Sequence, residues 1–188
     1  MIALGIDPGT LRLGWGVVSR SGNRLTHRAH GVIKMNAKLE LSERLCRIET
    51  ELSKVIETHA PEVSSVESLF FHKDAQAAAK LGHARGVVLL CLARAKVPIA
   101  EYAPARVKRT IAGGGQADKR QVALMVRAML GLSELPPADA ADALALAITH
   151  LRLGPVAERL GERSLSPALI AALSGRSRSR KRRRRAGA

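Results

Sequence analysis

The opening run Met1-Ile-Ala-Leu-Gly-Ile-Asp7 constrains the fold more than any other stretch of this chain. Ile2 to Ile6 is apolar on both faces, as a central strand of a covered sheet must be. The run stops at Asp7 and turns at Pro8-Gly9. A carboxylate at the end of such a strand is costly to desolvate unless a cation or hydrogen-bond donors meet it. Gly9 and Thr10 leave room for a phosphate to approach the backbone. An Asp before Pro-Gly is also a common turn cap. The stretch alone leaves both readings open.

Downstream, Trp15 to Ser19 reads as a second strand, and Ser21-Gly22-Asn23 is a turn of hairpin length. Arg24 to Met35 then makes a third strand, which implies an antiparallel meander. Leu41, Leu45, Ile48, Leu52, Val55 and Ile56 recur at helical spacing and predict a helix over Leu39 to His59, stopped by Pro61. Glu62 to Glu67 is a short strand, again ending in an acid. A helix is expected over Ala75 to Lys96, with Gly82 and Gly86 allowing a neighbouring element to come close. Val97 to Tyr102 reads as another strand, in which Pro98 suits an edge or a strand start better than a central position. Pro104 opens a short helix to Ile111, and Gly113-Gly114-Gly115 breaks the chain. Asp118 caps a helix ending near Gly131, with Val122, Met125, Val126 and Met129 on its buried side. A last long helix follows Pro136-Pro137 and runs to about Leu153. This order predicts an α/β fold, a mixed central sheet flanked by helices on both faces.

The chain has 188 residues, enough for one real core, and only 2% of them are aromatic. Its formal charge of +15 points to a polyanion, nucleic acid before membrane. Eight of those charges lie in residues 176–185, so residues 1–175 still keep +7. Cys46 and Cys91 are isolated within expected helices, which suggests buried free thiols in a reducing cytosol. No basic n-region precedes the first strand, and the longest apolar run is Val87 to Ala93. Roughly 20 apolar residues are needed to span a bilayer. A soluble, cytoplasmic protein is expected.

Four acids stand where solvation alone does not explain them. Asp7 follows an apolar run and Glu67 a strand-like one, so both emerge at strand ends, and Asp139 and Asp142 share one face of the last helix. Leu144, Ile148 and Leu151 form a stripe roughly opposite. Acids in a first turn are also favoured by the helix dipole, by about 0.3–1 kcal/mol, so the Asp-x-x-Asp pair alone decides nothing. Together, convergent carboxylates would raise each other's pKa unless a cation sat among them. All-oxygen ligation suits Mg²⁺ and Mn²⁺. Two such ions about 3.5–4 Å apart can stabilise the attacking water and the leaving oxygen of a phosphodiester. A basic protein with this arrangement reads as a metal-dependent nuclease.

The residues also resemble the bacterial RuvC family, the crossover junction endodeoxyribonucleases. The matching stretches are Gly-Ile-Asp7-Pro-Gly-Thr, Val-Glu67-Ser-Leu-Phe70-Phe, Lys80-Leu-Gly-His-Ala-Arg-Gly-Val, Val107-Lys108-Arg-Thr, Ala117-Asp-Lys119-Arg-Gln-Val and Ala138-Asp-Ala-Ala-Asp-Ala-Leu-Ala. They fall in the family's order across about residues 1–152. The resemblance implies an RNase H-like fold, a homodimer, and paired symmetric Mg²⁺-dependent nicks in a Holliday junction during recombination and repair. It implies two Mg²⁺ per site, with Mn²⁺ able to substitute, and hand-over from the RuvA-RuvB branch-migration complex. Asp7, Glu67, Asp139 and Asp142 match the family's catalytic carboxylates and so its metal ligands. Lys108 and Lys119 match basic residues beside the scissile phosphate. Phe70 matches an aromatic that stacks on junction bases, although core burial is the plainer reading of a Phe in so aromatic-poor a chain.

Two positions depart from the pattern. Ser68 and His83 stand where the family usually has Gln, and His83 is expected to pack within its helix. The expected organisation is a nuclease domain over residues 1–153 and a basic tail over 154–188, disordered at its end. That tail is either a polyphosphate-binding arm or merely solubilising. Three other functions fit parts of the chain: an RNA nuclease of the YqgF type, a non-catalytic junction-binding protein, and a sugar-kinase or actin-like ATPase. The Glu67-Phe70 segment and Leu81 to Gly86 argue against the first, and the four acids against the second. The length argues against the third.

Overall fold

The computed structural model describes residues 1–68 and 75–162. Its strands are β1 (Ile2–Asp7), β2 (Arg12–Ser21), β3 (Arg24–Lys34), β4 (Val63–Glu67) and β5 (Ile99–Tyr102). Its helices are α1 (Leu41–His59), α2 (Ala75–Arg94), α3 (Pro104–Ala112), α4 (Lys119–Leu130) and α5 (Ala138–Glu162). The strands form one mixed sheet in the order β3-β2-β1-β4-β5. β1, β2 and β3 are the antiparallel meander, while β4 and β5 run parallel to β1. Pro98 does precede an edge strand. The sheet, both cores and the site described below belong to the unit Met1–Arg152; a second unit is Leu153–Ala188.

Strand alternation divides the interior into two cores. Leu4, Ile6, Leu13, Val17 and Val66 pack with Ile48, Leu52 and Ile56 of α1 and Val88 and Leu92 of α2. Ala3, Val18 and Val63 turn the other way, toward Val107 and Ile111 of α3, Val122 and Val126 of α4, and Leu144, Ile148 and Leu151 of α5. Helices therefore cover both faces, as the order of elements predicts.

Helix α5 comes unusually close to the sheet. A Cβ at Gly5 would meet the Ala143 carbonyl oxygen and lie 2.8 Å from the Ala147 nitrogen. A Cβ at Gly14 would meet the Asp139 carbonyl, and one at Gly16 would lie 2.6 Å from the Leu144 side chain. Gly5 and Gly16 are partners across β1 and β2, so they form one depression in the sheet. Ala140, Ala143 and Ala147 are fully buried on the helix side. Small residues on both surfaces let the backbones approach.

Several expectations change. Gly82 and Gly86 allow no close packing here, because a Cβ at either would meet open space. His83 is likewise exposed rather than packed within its helix. Met125 is 39% exposed; Ala123 takes its place in the buried set of α4 with Val122 and Val126. Cys91 is buried but Cys46 is exposed, since it lies off the Ile48-Leu52-Ile56 stripe that faces the core. α5 continues past Leu153 to Glu162, through Gly154 and Pro155, although a proline costs a helix interior about 3 kcal/mol. Phe70 and the Arg-rich end lie outside the described residues. No helix among the described residues is long and apolar enough to cross a membrane.

Candidate active site

Alternation along β1 sends Ala3, Gly5 and Asp7 toward α5, and the same period along β4 sends Val63 and Glu67 there. Ile6 and Val66 are parallel partners, so Asp7 and Glu67 end neighbouring strands on the same side. The first turns of α5 bring Asp139 and Asp142 to that edge. Asp7, Glu67 and Asp142 line a cleft of about 260 Å³ with Lys108, Lys119 and the apolar floor of Val107, Val122 and Leu146.

Local structure also fixes the two lysines. Buried Val107 and Ile111 seat α3, which places Lys108 on the cleft wall. Asp118 caps α4: its Oδ1 accepts from the Gln121 backbone at 2.8 Å, and Gln121 Oε1 accepts from the Asp118 amide at 3.1 Å. This capping box sets Lys119 at the first helical position. Its ammonium then reaches Asp142 Oδ2 at 3.4 Å.

The electrostatics of the cleft call for a cation. Burial, then the charges of Asp142 and Glu67, push the Asp7 carboxyl up to about 7 against the pull of Lys119. Burial also raises Asp142, outweighing Lys119. The Lys119 ammonium is held above its ordinary range, chiefly by Asp142. The cleft's carboxylates, which repel one another, fit Mg²⁺ or Mn²⁺ in donor chemistry. Among the described residues, however, no three His, Cys, Asp or Glu side chains stand together at ligand spacing.

Asp139 is not among the cleft-lining residues. The Arg12 guanidinium holds it, with Nε donating to Oδ2 at 2.5 Å. Arg12 opens β2 just beyond the Asp7 turn, and sequence reasoning gave it no role. A basic residue soon after the strand-end acid was the available signal. Arg85 was also missed, although it stands within a quoted motif. It is buried, pairs with Glu101 at 2.7 Å and donates to the Glu67 carbonyl.

Residues 3–150 match the family model "Crossover junction endodeoxyribonuclease RuvC". The chain belongs to the RuvC family. It is 61% identical over 151 residues to the crossover junction endodeoxyribonuclease RuvC of Sorangium cellulosum, covering 80% of this chain and 84% of that one. The protein of the same name from Parvibaculum lavamentivorans is 50% identical over 173 residues, 92% of this chain and 96% of its own. The RuvC of T. thermophilus in complex with Holliday junction substrate superposes with a TM-score of 0.79 at 40% identity, covering 84% of this chain and 96% of that one. The RuvC fold here is RNase H-like, a mixed sheet between helices. The yeast mitochondrial Holliday junction resolvase Ydc2, at 12% identity and a TM-score of 0.57, shares the fold.

Proposed function

We propose that this RuvC-family chain is a crossover junction endodeoxyribonuclease that resolves Holliday junctions by paired, symmetric phosphodiester hydrolysis in recombination and repair. The observation that carries the reading is the convergence of Asp7, Glu67 and Asp142 with Lys108 and Lys119 on one cleft. Asp7, Glu67, Asp139 and Asp142 would hold two Mg²⁺, or Mn²⁺ in their place, which when bound supply an activated water and charge neutralisation at the leaving oxygen. Lys119 offsets charge developing on the phosphate, and Lys108 draws the strand onto the cleft wall. Arg106, Arg109 and Arg120, all exposed on α3 and α4, extend this positive rim for the DNA backbone. Phe70, which follows the catalytic Glu67 in sequence, is assigned to stacking on junction bases.

Symmetric cutting needs two such sites, so the working form is a homodimer. The exposed face of α2 suits that contact: Gly82 and Gly86 leave open space there, and Leu90 is 48% exposed beside them. The nuclease domain spans residues 1–153, and the tail from 154 to 188 supplies a basic arm. The enzyme acts on chromosomal junctions in the cytoplasm, received from the RuvA-RuvB complex.

The test is a mobile four-way junction, linear duplex and structured RNA compared under Mg²⁺, with nicks mapped on every strand. Two nicks at symmetric positions in the junction alone are expected. Preferential cutting of RNA, or junction binding without metal-dependent nicking, would overturn the reading.

A pH dependence follows from Asp7. Its folded pKa is raised from 3.8 to about 7, so the metal-free folded state binds more protons than the unfolded state between those values. The stability that Asp7 contributes is therefore greatest below the unfolded value and declines as pH rises toward the folded one. A cation must displace the same proton. At limiting Mg²⁺, cleavage should rise about tenfold per pH unit below neutrality and level off above it. Added Mg²⁺ should move the midpoint to lower pH. A rate that stays flat across this range at limiting Mg²⁺ would contradict proton–metal competition at Asp7.

A further inference from the structure

We propose that Arg85 is a positioning residue for the Glu67 carboxylate, holding the end of β4 from the side opposite the cleft. The inference rests on the nuclease reading and adds a residue to it. Arg85 is 6% exposed, on a helix whose neighbouring residues Ala84 and Val88 are fully buried. A guanidinium removed from water is costly unless its donors are met. Here two strands meet them. One terminal nitrogen donates to the backbone carbonyl of Glu67, and the other lies 2.7 Å from Glu101 Oε1 on β5.

The position of that carbonyl gives the contact its consequence. Glu67 is the last residue of β4, paired with Tyr102, and the Ser68 amide donates to the Tyr102 carbonyl at 3.0 Å. Beyond this bond the chain leaves the sheet. The orientation of the Glu67 peptide, and with it the direction of its side chain, is fixed on one side by β5 and on the other by Arg85. Glu101 keeps the guanidinium from rotating away, and its carboxylate is 49% exposed, so the pair reaches from the core to the surface. Groups that orient a ligating carboxylate typically contribute 10- to 100-fold in metal affinity. Helix α2 thereby joins its open Gly82-Gly86 face to the catalytic strand end through one side chain.

The experiment measures Mn²⁺ binding to the full chain by calorimetry, without DNA, beside junction cleavage and thermal melting. Arg85→Met should weaken Mn²⁺ binding about tenfold or more, and Arg85→Lys should recover part of the loss. Val88→Ala, a core lesion on the same helix, should lower the melting temperature and leave Mn²⁺ affinity unchanged. Wild-type affinity in folded R85M, or an equal loss in V88A, would overturn the proposal. Where R85M does not fold, Glu101→Gln decides: a loss of about threefold supports positioning and wild-type affinity refutes it. A wild-type chain that neither binds Mn²⁺ nor cuts would instead overturn the nuclease reading, and the proposal with it.

Discussion

Asp7→Asn should lower junction cleavage by at least about 10³-fold and leave junction binding within about twofold of wild type. The side chains are nearly isosteric, so the β1 end and the fit of α5 are retained. The anion is lost. Asp7 is the acid on which the charges of Asp142, Glu67 and Asp139 all act, and its carboxyl is pushed up to about 7. That cost has a second consequence. Above neutral pH in chelator, wild type holds a buried carboxylate repelled by its neighbours, whereas the variant holds a neutral amide. Asp7→Asn should therefore melt higher than wild type at about pH 8 without metal, and the gap should close as the solution is acidified below the unfolded pKa. Mg²⁺ should stabilise wild type more than the variant. Cleavage rates, gel-shift binding and paired melts check these outcomes. Strong cutting by Asp7→Asn, free of wild-type enzyme, would remove Asp7 from the centre of the mechanism.

The placement of Asp7 and Glu67 was legible because strand physics is simple. A strand that ends in an acid puts that acid at the end of the sheet, and alternation decides its side. Asp139 and Asp142 were legible on nearly one helix face because they lie three apart, but only Asp142 lines the cleft, while Arg12 holds Asp139. What the sequence did not disclose was depth. Gly82 and Gly86 look like contact glycines because they lie four apart on a helix, yet they face open space. The glycines that meet α5 are Gly5, Gly14 and Gly16, scattered through two strands whose register must be known first. Arg12 and Arg85 escaped for a related reason. Each acts on an acid far along the chain, Arg12 on Asp139 and Arg85 on the Glu67 peptide, and local patterns carry no distance. Met125 was assigned to the core by helical spacing, but α4 buries a narrower strip.

Those strand glycines give the second large effect. Gly5→Ala adds one methyl group where the Ala143 carbonyl and the Ala147 nitrogen already stand. Backbone atoms of a buried helix cannot swing aside as a side-chain tip would, so α5 must lift from the sheet. Overpacking of this kind costs typically 1–3 kcal/mol and occasionally more. A loss of about 3 kcal/mol would lower the melting temperature by about 6–12 °C in a chain of this size. The catalytic loss should exceed what unfolding explains, because Asp139 and Asp142 ride on α5 while Asp7 and Glu67 stay with the strands. A displacement near 1 Å between reacting groups can cost about 10²-fold in rate. Gly114→Ala supplies the contrast, since a Cβ there meets nothing within 4 Å. That substitution should shift stability by no more than about 0.5 kcal/mol. Folded Gly5→Ala should therefore bind junctions and cut them slowly, and Gly114→Ala should do both as wild type does. Equal melting temperatures for the two variants would mean that α5 is not pressed onto β1, and the spacing of the four acids would need another origin.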